Sequence, residues 1–148
     1  MKRNNVVFFN IIVICMYYFL WMPIVSASPF VVTSAFGFRD HPISGEEKFH
    51  TGIDLGAEYG TPIGAIWSGK VVFAGWYGGY GNCIVIDHGN SVITLYGHCS
   101  ELAIEAGQPV AEGQLIGYVG STGYSTGPHL HLELWKNGQY VDPITIWN

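Results

Sequence analysis

Two regimes of hydrophobic patterning divide the chain. From Val6 to Val25 the residues are apolar almost without a break, Asn10 being the one strongly polar position, and Lys2 and Arg3 stand in front of the run. A basic start, an apolar stretch and then Val25-Ser26-Ala27 form the pattern of an export signal, with cleavage expected after Ala27. An uncleaved anchor is the competing reading, since about 20 such residues reach across a bilayer. Cys15 lies in mid-run, where a lipoprotein cleavage site is not expected. From Ser28 onward the pattern changes to short β-branched and aromatic runs punctuated by glycine. "NCIVIDHGNSVITLY" predicts a hairpin, Cys83–Asp87 out, a turn at Gly89-Asn90, and Val92–Tyr96 back. "GQLIGYVGSTG" and "HLHLELWKNGQYVDP" predict further strands, the latter turning at Asn137-Gly138. Only "CSELAIEAGQPV" leaves room for a short helical turn, around Ser100–Glu105. The expected class is all-β, a mainly antiparallel sandwich or compact barrel preceded by an N-terminal apolar signal helix.

This divides the chain into a signal peptide or signal anchor at 1–27, a short linker at 28–33 and one domain at 34–148. No second module or long pro-segment is expected in that length. All 20 glycines and all six histidines lie beyond residue 27. That part carries four basic residues (Arg39, Lys48, Lys70, Lys136) against eleven acidic ones, a net −7 with neutral histidine. Such a balance argues against nucleic acid and against anionic membrane surfaces, leaving the N-terminal segment as the only expected membrane contact. Cys83 and Cys99 remain, too few for a disulfide framework. A regular hairpin would set Cys83 opposite Tyr96, with Cys99 three residues past its partner. Two buried thiols are therefore expected, unless a bulge closes one bridge.

Four pieces carry chemistry: His50 and Asp54 in "FHTGIDLG", His98 in "TLYGH", and His129 with His131 in "GPHLHLE". On a strand, residues i and i+2 share a face about 7 Å apart, so His129 and His131 point together while Leu130 and Leu132 point the other way. Gly52 and Gly56 place His50 and Asp54 on a loop and the start of a strand rather than on a helix. Each pair alone is weak, since two ordinary histidines on a polar strand face produce the same spelling. Tyr96, two residues before His98, is expected either to share its strand face and offer a hydroxyl to a bound substrate or to be a half-buried aromatic.

The ordered blocks "FGFRDHP…HTGIDLG…GTPIGA…GNCIVIDHGN…TLYGHCS…STGPHLHLE…DP" resemble the lysostaphin-type, LytM-like zinc endopeptidases that hydrolyse peptidoglycan, from about Ser34 to Pro143. The resemblance implies a β domain with a long groove and a zinc ion held by His50, Asp54 and His131. It also implies His98 and His129 as the catalytic pair beside a zinc-activated water. Two neutral imidazoles and a carboxylate leave such a metal one open position. The expected protein is an exported, monomeric zinc endopeptidase acting on peptidoglycan stem peptides or cross-bridges. The alternative is a catalytically inactive relative that binds cell wall or activates an amidase. A "Gly-x-Pro" echo around Lys70 faintly resembles lipoyl and biotin carriers but lacks their flanking residues. The remaining polar positions have plainer expectations: His41 in a surface loop, His88 solvated at a turn, and Arg39 either binding a substrate carboxylate or tethered to Asp40 or Glu46.

Overall fold

The computed structural model describes residues 30–40 and 47–147. The expected signal at 1–27 and the His41 and Glu46 positions lie outside the described residues. No helix among the described residues is long and apolar enough to cross a membrane.

Twelve strands follow in chain order: β1 (Val31–Ser34), β2 (Gly37–Asp40), β3 (Glu47–His50), β4 (Ile53–Gly56), β5 (Pro62–Gly64), β6 (Gly69–Trp76), β7 (Asn82–Asp87), β8 (Val92–Leu102), β9 (Pro109–Val110), β10 (Leu115–Val119), β11 (His129–Lys136) and β12 (Gln139–Val141). Two short 3-10 turns, Gly78–Tyr80 and Pro143–Trp147, complete the elements among the described residues. The all-β expectation holds. The main sheet runs β1-β4-β11-β8-β7-β6-β9, with β12 beside β11 and β10 bridging β8 to β5. β2 and β3 form a separate two-stranded ribbon. Every pairing is antiparallel.

One face of this sheet closes over the core. Ile53, Leu55, Ile84, Ile86, Leu130 and Leu132 alternate along β4, β7 and β11 and are buried together with Ile63, Val71, Ile116 and Val119. Burying each such aliphatic side chain contributes about 1.5–3 kcal/mol. That alternation leaves the opposite face of β4 and β11 to Asp54, His129 and His131.

Several local expectations need correction. Val31–Ser34, within and just beyond the expected linker at 28–33, is a strand paired with β4; its β-branched "VV" meets Leu55 and Gly56. No helical turn forms at Ser100–Glu105, because β8 runs on to Leu102 to pair with β10. The β7–β8 connection is a three-residue loop, since Ser91 joins Gly89 and Asn90 at positive φ. The register therefore shifts by one and Ile84, not Cys83, lies opposite Tyr96. Cys83 and Cys99 are both buried free thiols, pushed up by burial to about 11 and about 12. His88 is tied down rather than solvated: its ring nitrogens lie 2.9 Å from the Ser68 carbonyl and 2.8 Å from Thr94 Oγ1. The Asn137-Gly138 hairpin is as expected, both residues at positive φ as a two-residue type I′ turn requires.

Candidate metal centre and groove

β4 and β11 lie side by side with Asp54 opposite His131 and Gly56 opposite His129. The bend at Thr51-Gly52 then folds the end of β3 back so that His50 meets the same point. Only glycine fits that bend, since a Cβ on Gly52 would stand 2.2 Å from the Leu132 carbonyl oxygen. On the other side of β11, Gly97 lies opposite His131. A Cβ there would stand in ordinary contact with the ligand strand, 3.4 Å from the His131 Cβ.

The result is a triangle of donor atoms. His50 Nε2 lies 3.2 Å from His131 Nδ1 and 3.2 Å from Asp54 Oδ1, and His131 Nδ1 lies 2.9 Å from Asp54 Oδ1. Ligands at about 2.0–2.2 Å around a tetrahedral zinc are about 3.3–3.6 Å apart, so the triangle needs to open only by a few tenths of an ångström. His50, Asp54 and His131 are the one His/Cys/Asp/Glu group among the described residues with this clustering.

What lies behind the donors determines which nitrogens face the centre. The Ala35 carbonyl, 2.8 Å from His50 Nδ1, can only accept, so Nδ1–H donates and Nε2 keeps its lone pair. Behind His131, Glu133 Oε1 lies 3.2 Å from Nε2 and leaves Nδ1 for the centre. Carboxylate or carbonyl partners of this kind commonly orient metal-binding histidines. Glu133 is wholly buried, and it also accepts from the Thr51 hydroxyl, from Tyr80 at 2.8 Å and from Trp135 Nε1 at 2.9 Å. Burial alone would raise its pKa, but the bonds from His131, Thr51 and Trp135 outweigh burial and lower it. Glu133 is absent from the sequence-based site, although the alternation His129-x-His131-x-Glu133 places it on the same strand face.

The charges interlock. Burial raises the Asp54 pKa, but the hydrogen bonds from His131 and His50 overcome it and hold the carboxyl far below its usual range. Burial lowers the His131 pKa, but Asp54 and Glu133 on either side outweigh burial and raise it. A proton or a cation between Nδ1 and Oδ1 is thus strongly favoured.

His98 and His129 stand beside this triangle, their rings 4.6 Å apart, and His98 is 5.8 Å from the His131 ring. His98 Nδ1 lies 2.7 Å from the Thr122 carbonyl and His129 Nδ1 lies 2.8 Å from the Gly127 carbonyl. Each therefore donates through Nδ1, which leaves Nε2 for other partners; that of His129 lies 3.7 Å from Asp54 Oδ1. Burial holds His98 neutral, its pKa pushed down to about 4.

Tyr96 does not join them. It is 1% exposed, and its hydroxyl accepts from the Ile66 N–H at 3.0 Å and bonds Thr94 Oγ1 at 3.1 Å inside the core. The groove expectation fails because His98 has φ +62°, a left-handed bulge that breaks the two-residue alternation. His98 swings onto the groove face while Tyr96 stays inward with Leu132, its cross-strand partner.

Two cavities flank the triangle. One of about 260 Å³ is walled by His50, Asp54, Tyr80, His98, His131 and Arg39. The other, about 300 Å³, lies beyond Asp54 against Thr33, Ser34, Thr126, His129 and again Arg39. Together they make a groove running past the donor atoms.

Comparison with known proteins agrees with this geometry. Over 115 residues, 78% of this chain and 26% of the relative, the chain is 50% identical to the DD-carboxypeptidase/endopeptidase Mpg of Neisseria meningitidis serogroup B. It thus spans about a quarter of that relative's length. The catalytic domain of the antimicrobial peptidase lysostaphin from Staphylococcus simulans superposes with a TM-score of 0.72 at 36% identity, over 80% of this chain and 93% of that one. A chain of the SpoIIQ–SpoIIIAH pore-forming complex matches with a TM-score of 0.72 at 27% identity, over 84% and 88%. The model for "Peptidase family M23" matches residues 48–143, from within the His50 strand to the residue after Asp142. On that match and these identities, the chain belongs to peptidase family M23.

Proposed function

We propose that this chain is an exported zinc endopeptidase that hydrolyses peptide bonds in peptidoglycan stem peptides or cross-bridges. The observation that carries the reading is the donor triangle of His50 Nε2, Asp54 Oδ1 and His131 Nδ1, with two further imidazoles beside it. In it, His50, Asp54 and His131 hold the metal. Bound there, zinc supplies Lewis acidity, polarising a scissile carbonyl and acidifying a water.

The chain's own groups do the rest. His98, neutral and with Nδ1–H committed to the Thr122 carbonyl, offers Nε2 as a general base that takes a proton from the attacking water. His129, its Nδ1 anchored on Gly127, presents Nε2 across the centre, where a protonated ring stabilises the developing oxyanion and protonates the leaving amine. The open groove on both sides of Asp54 suits an extended peptide rather than a compact ligand. Export rests on the apolar segment 6–25 behind Lys2 and Arg3.

A second reading is a wall-binding or amidase-activating protein without catalysis. Against it stands the full set of five groove-facing His and Asp side chains. Digestion of defined cross-linked muropeptides with the zinc-loaded protein, followed by mass spectrometry, separates the two. The endopeptidase reading expects products split at a peptide bond; retention on cell wall with intact peptides supports the second reading and refutes the first.

A further inference from the structure

We propose that Arg39 forms a subsite for a free carboxylate of the bound peptide, in the cavity it shares with Asp54 and His129 beside the metal-binding triangle; this deepens the peptide-substrate reading above and rests on it. Arg39 lies on β2, whose pairing with β3 sets Gly37 opposite His50 and Arg39 opposite Lys48. The guanidinium is thereby carried to the edge of the metal-binding triangle. Its Nη1 donates to Ser34 Oγ at 2.5 Å, which fixes the head group in place. Its Nη2 stands 3.7 Å from Asp54 Oδ2, an ion-pair separation longer than a hydrogen bond. The Asp54 contact therefore steers the guanidinium without taking up its N–H donors. The side chain is 36% exposed and lines both cavities.

Charge makes the position selective. From Ser28 onward the chain carries net −7, a field that disfavours anionic ligands. Among the described residues, Arg39 is the one lysine or arginine on the walls of either cavity. The 300 Å³ cavity beyond it is polar, with Thr33, Ser34 and Thr126 around it and Gly56 and Gly127 leaving room for backbone approach. A planar guanidinium above such a cleft matches a carboxylate in a two-point, charge-assisted contact. The fitting ligand is a peptide with a free carboxylate close to the scissile bond. A chain-terminal carboxylate and the side carboxylate of a diamino acid both present that chemistry.

The test measures binding apart from turnover. In the zinc-loaded His129→Ala protein, which leaves the peptide intact, calorimetry compares a stem peptide with the same peptide amidated at one carboxylate at a time. One monoamide is expected to bind about tenfold or more weakly than the parent, and its position tells chain terminus from side chain. Arg39→Gln on the same background should bring parent and monoamide to equal affinity with zinc content unchanged. Arg39→Lys keeps the charge beside Asp54 but not the fork, and should lose most of the discrimination. Equal binding of every monoamide, discrimination that survives Arg39→Gln, or no binding of the parent peptide overturns the subsite. Binding and discrimination without hydrolysis by the His129-intact protein would instead overturn the catalytic reading and leave the subsite standing.

Discussion

Replacing Glu133 with glutamine probes the site from behind. The carboxylate is wholly buried and collects bonds from Thr51, Tyr80, His131 and Trp135. A glutamine of the same shape can keep its carbonyl at the Oε1 position, where it still accepts from Thr51, Tyr80 and His131. Its amide NH2 then faces the Trp135 Nε1–H, 2.9 Å from Oε2 in the native chain, donor against donor. One buried N–H is left unsatisfied at a cost of about 1–3 kcal/mol. The other bonds lose their charge assistance, roughly half their strength. The sum is about 2–4 kcal/mol of stability, read by urea denaturation of the metal-free chain. The effect on the site is separate. Without the carboxylate behind Nε2–H, the His131 Nδ1 is less basic and less firmly aimed, so zinc affinity should fall about 10–100-fold. Competition against a chromogenic chelator measures this, with near-UV circular dichroism reporting that the fold persists. If Glu133→Gln folds and holds zinc within about twofold of the parent, the orienting role assigned to Glu133 is wrong.

Other outcomes follow from the same geometry. Tyr96→Phe leaves the Ile66 N–H without its acceptor and should cost about 1–3 kcal/mol of stability while zinc content and turnover stay at the parent level; loss of turnover at unchanged stability would put Tyr96 back in the groove. His98 is neutral in the fold down to about pH 4 but titrates near its ordinary value when unfolded. Between about pH 6.5 and 4 the unfolded chain therefore binds the extra proton, and stability falls as pH falls through that window. His98→Gln should remove about 1–3 kcal/mol of the acid destabilisation of the metal-free chain between pH 7 and 4.5; an unchanged pH slope in the variant contradicts a buried neutral imidazole. Zinc binding near pH 7 should release a proton held between His131 and the carboxylates, seen as a buffer-dependent heat in calorimetry; a heat independent of buffer contradicts it.

The fold and the clustering of His50, Asp54 and His131 were largely legible because both follow from simple periods. Alternation along "HLHLEL" separates His129 and His131 from Leu130 and Leu132, and Asn137-Gly138 demands its hairpin. What escaped depends on single backbone angles and on cross-strand neighbours. Ser91 at φ +60° lengthens a loop and moves the β7–β8 register by one residue, and no side-chain signal marks it. His98 at φ +62° reverses the face on which the next alternation falls, which sent the expectation for Tyr96 the wrong way. Val31 and Val32 have ordinary strand character, but their partners Gly56 and Leu55 lie on β4, distant in sequence, so a reading from chain neighbours alone gives a linker. Glu133 was readable from its i+2 spacing to His131; its burial was not, because Thr51 and Tyr80, which cover it, come from distant segments.

The most direct test of the account is the metal content of the purified, never-chelated protein, measured beside His131→Ala and His129→Ala. The account predicts about one zinc per chain in the parent and in His129→Ala, and almost none in His131→Ala. A parent without zinc, or equal metal loss in the two variants, would contradict the division of the histidines into metal ligands and proton carriers.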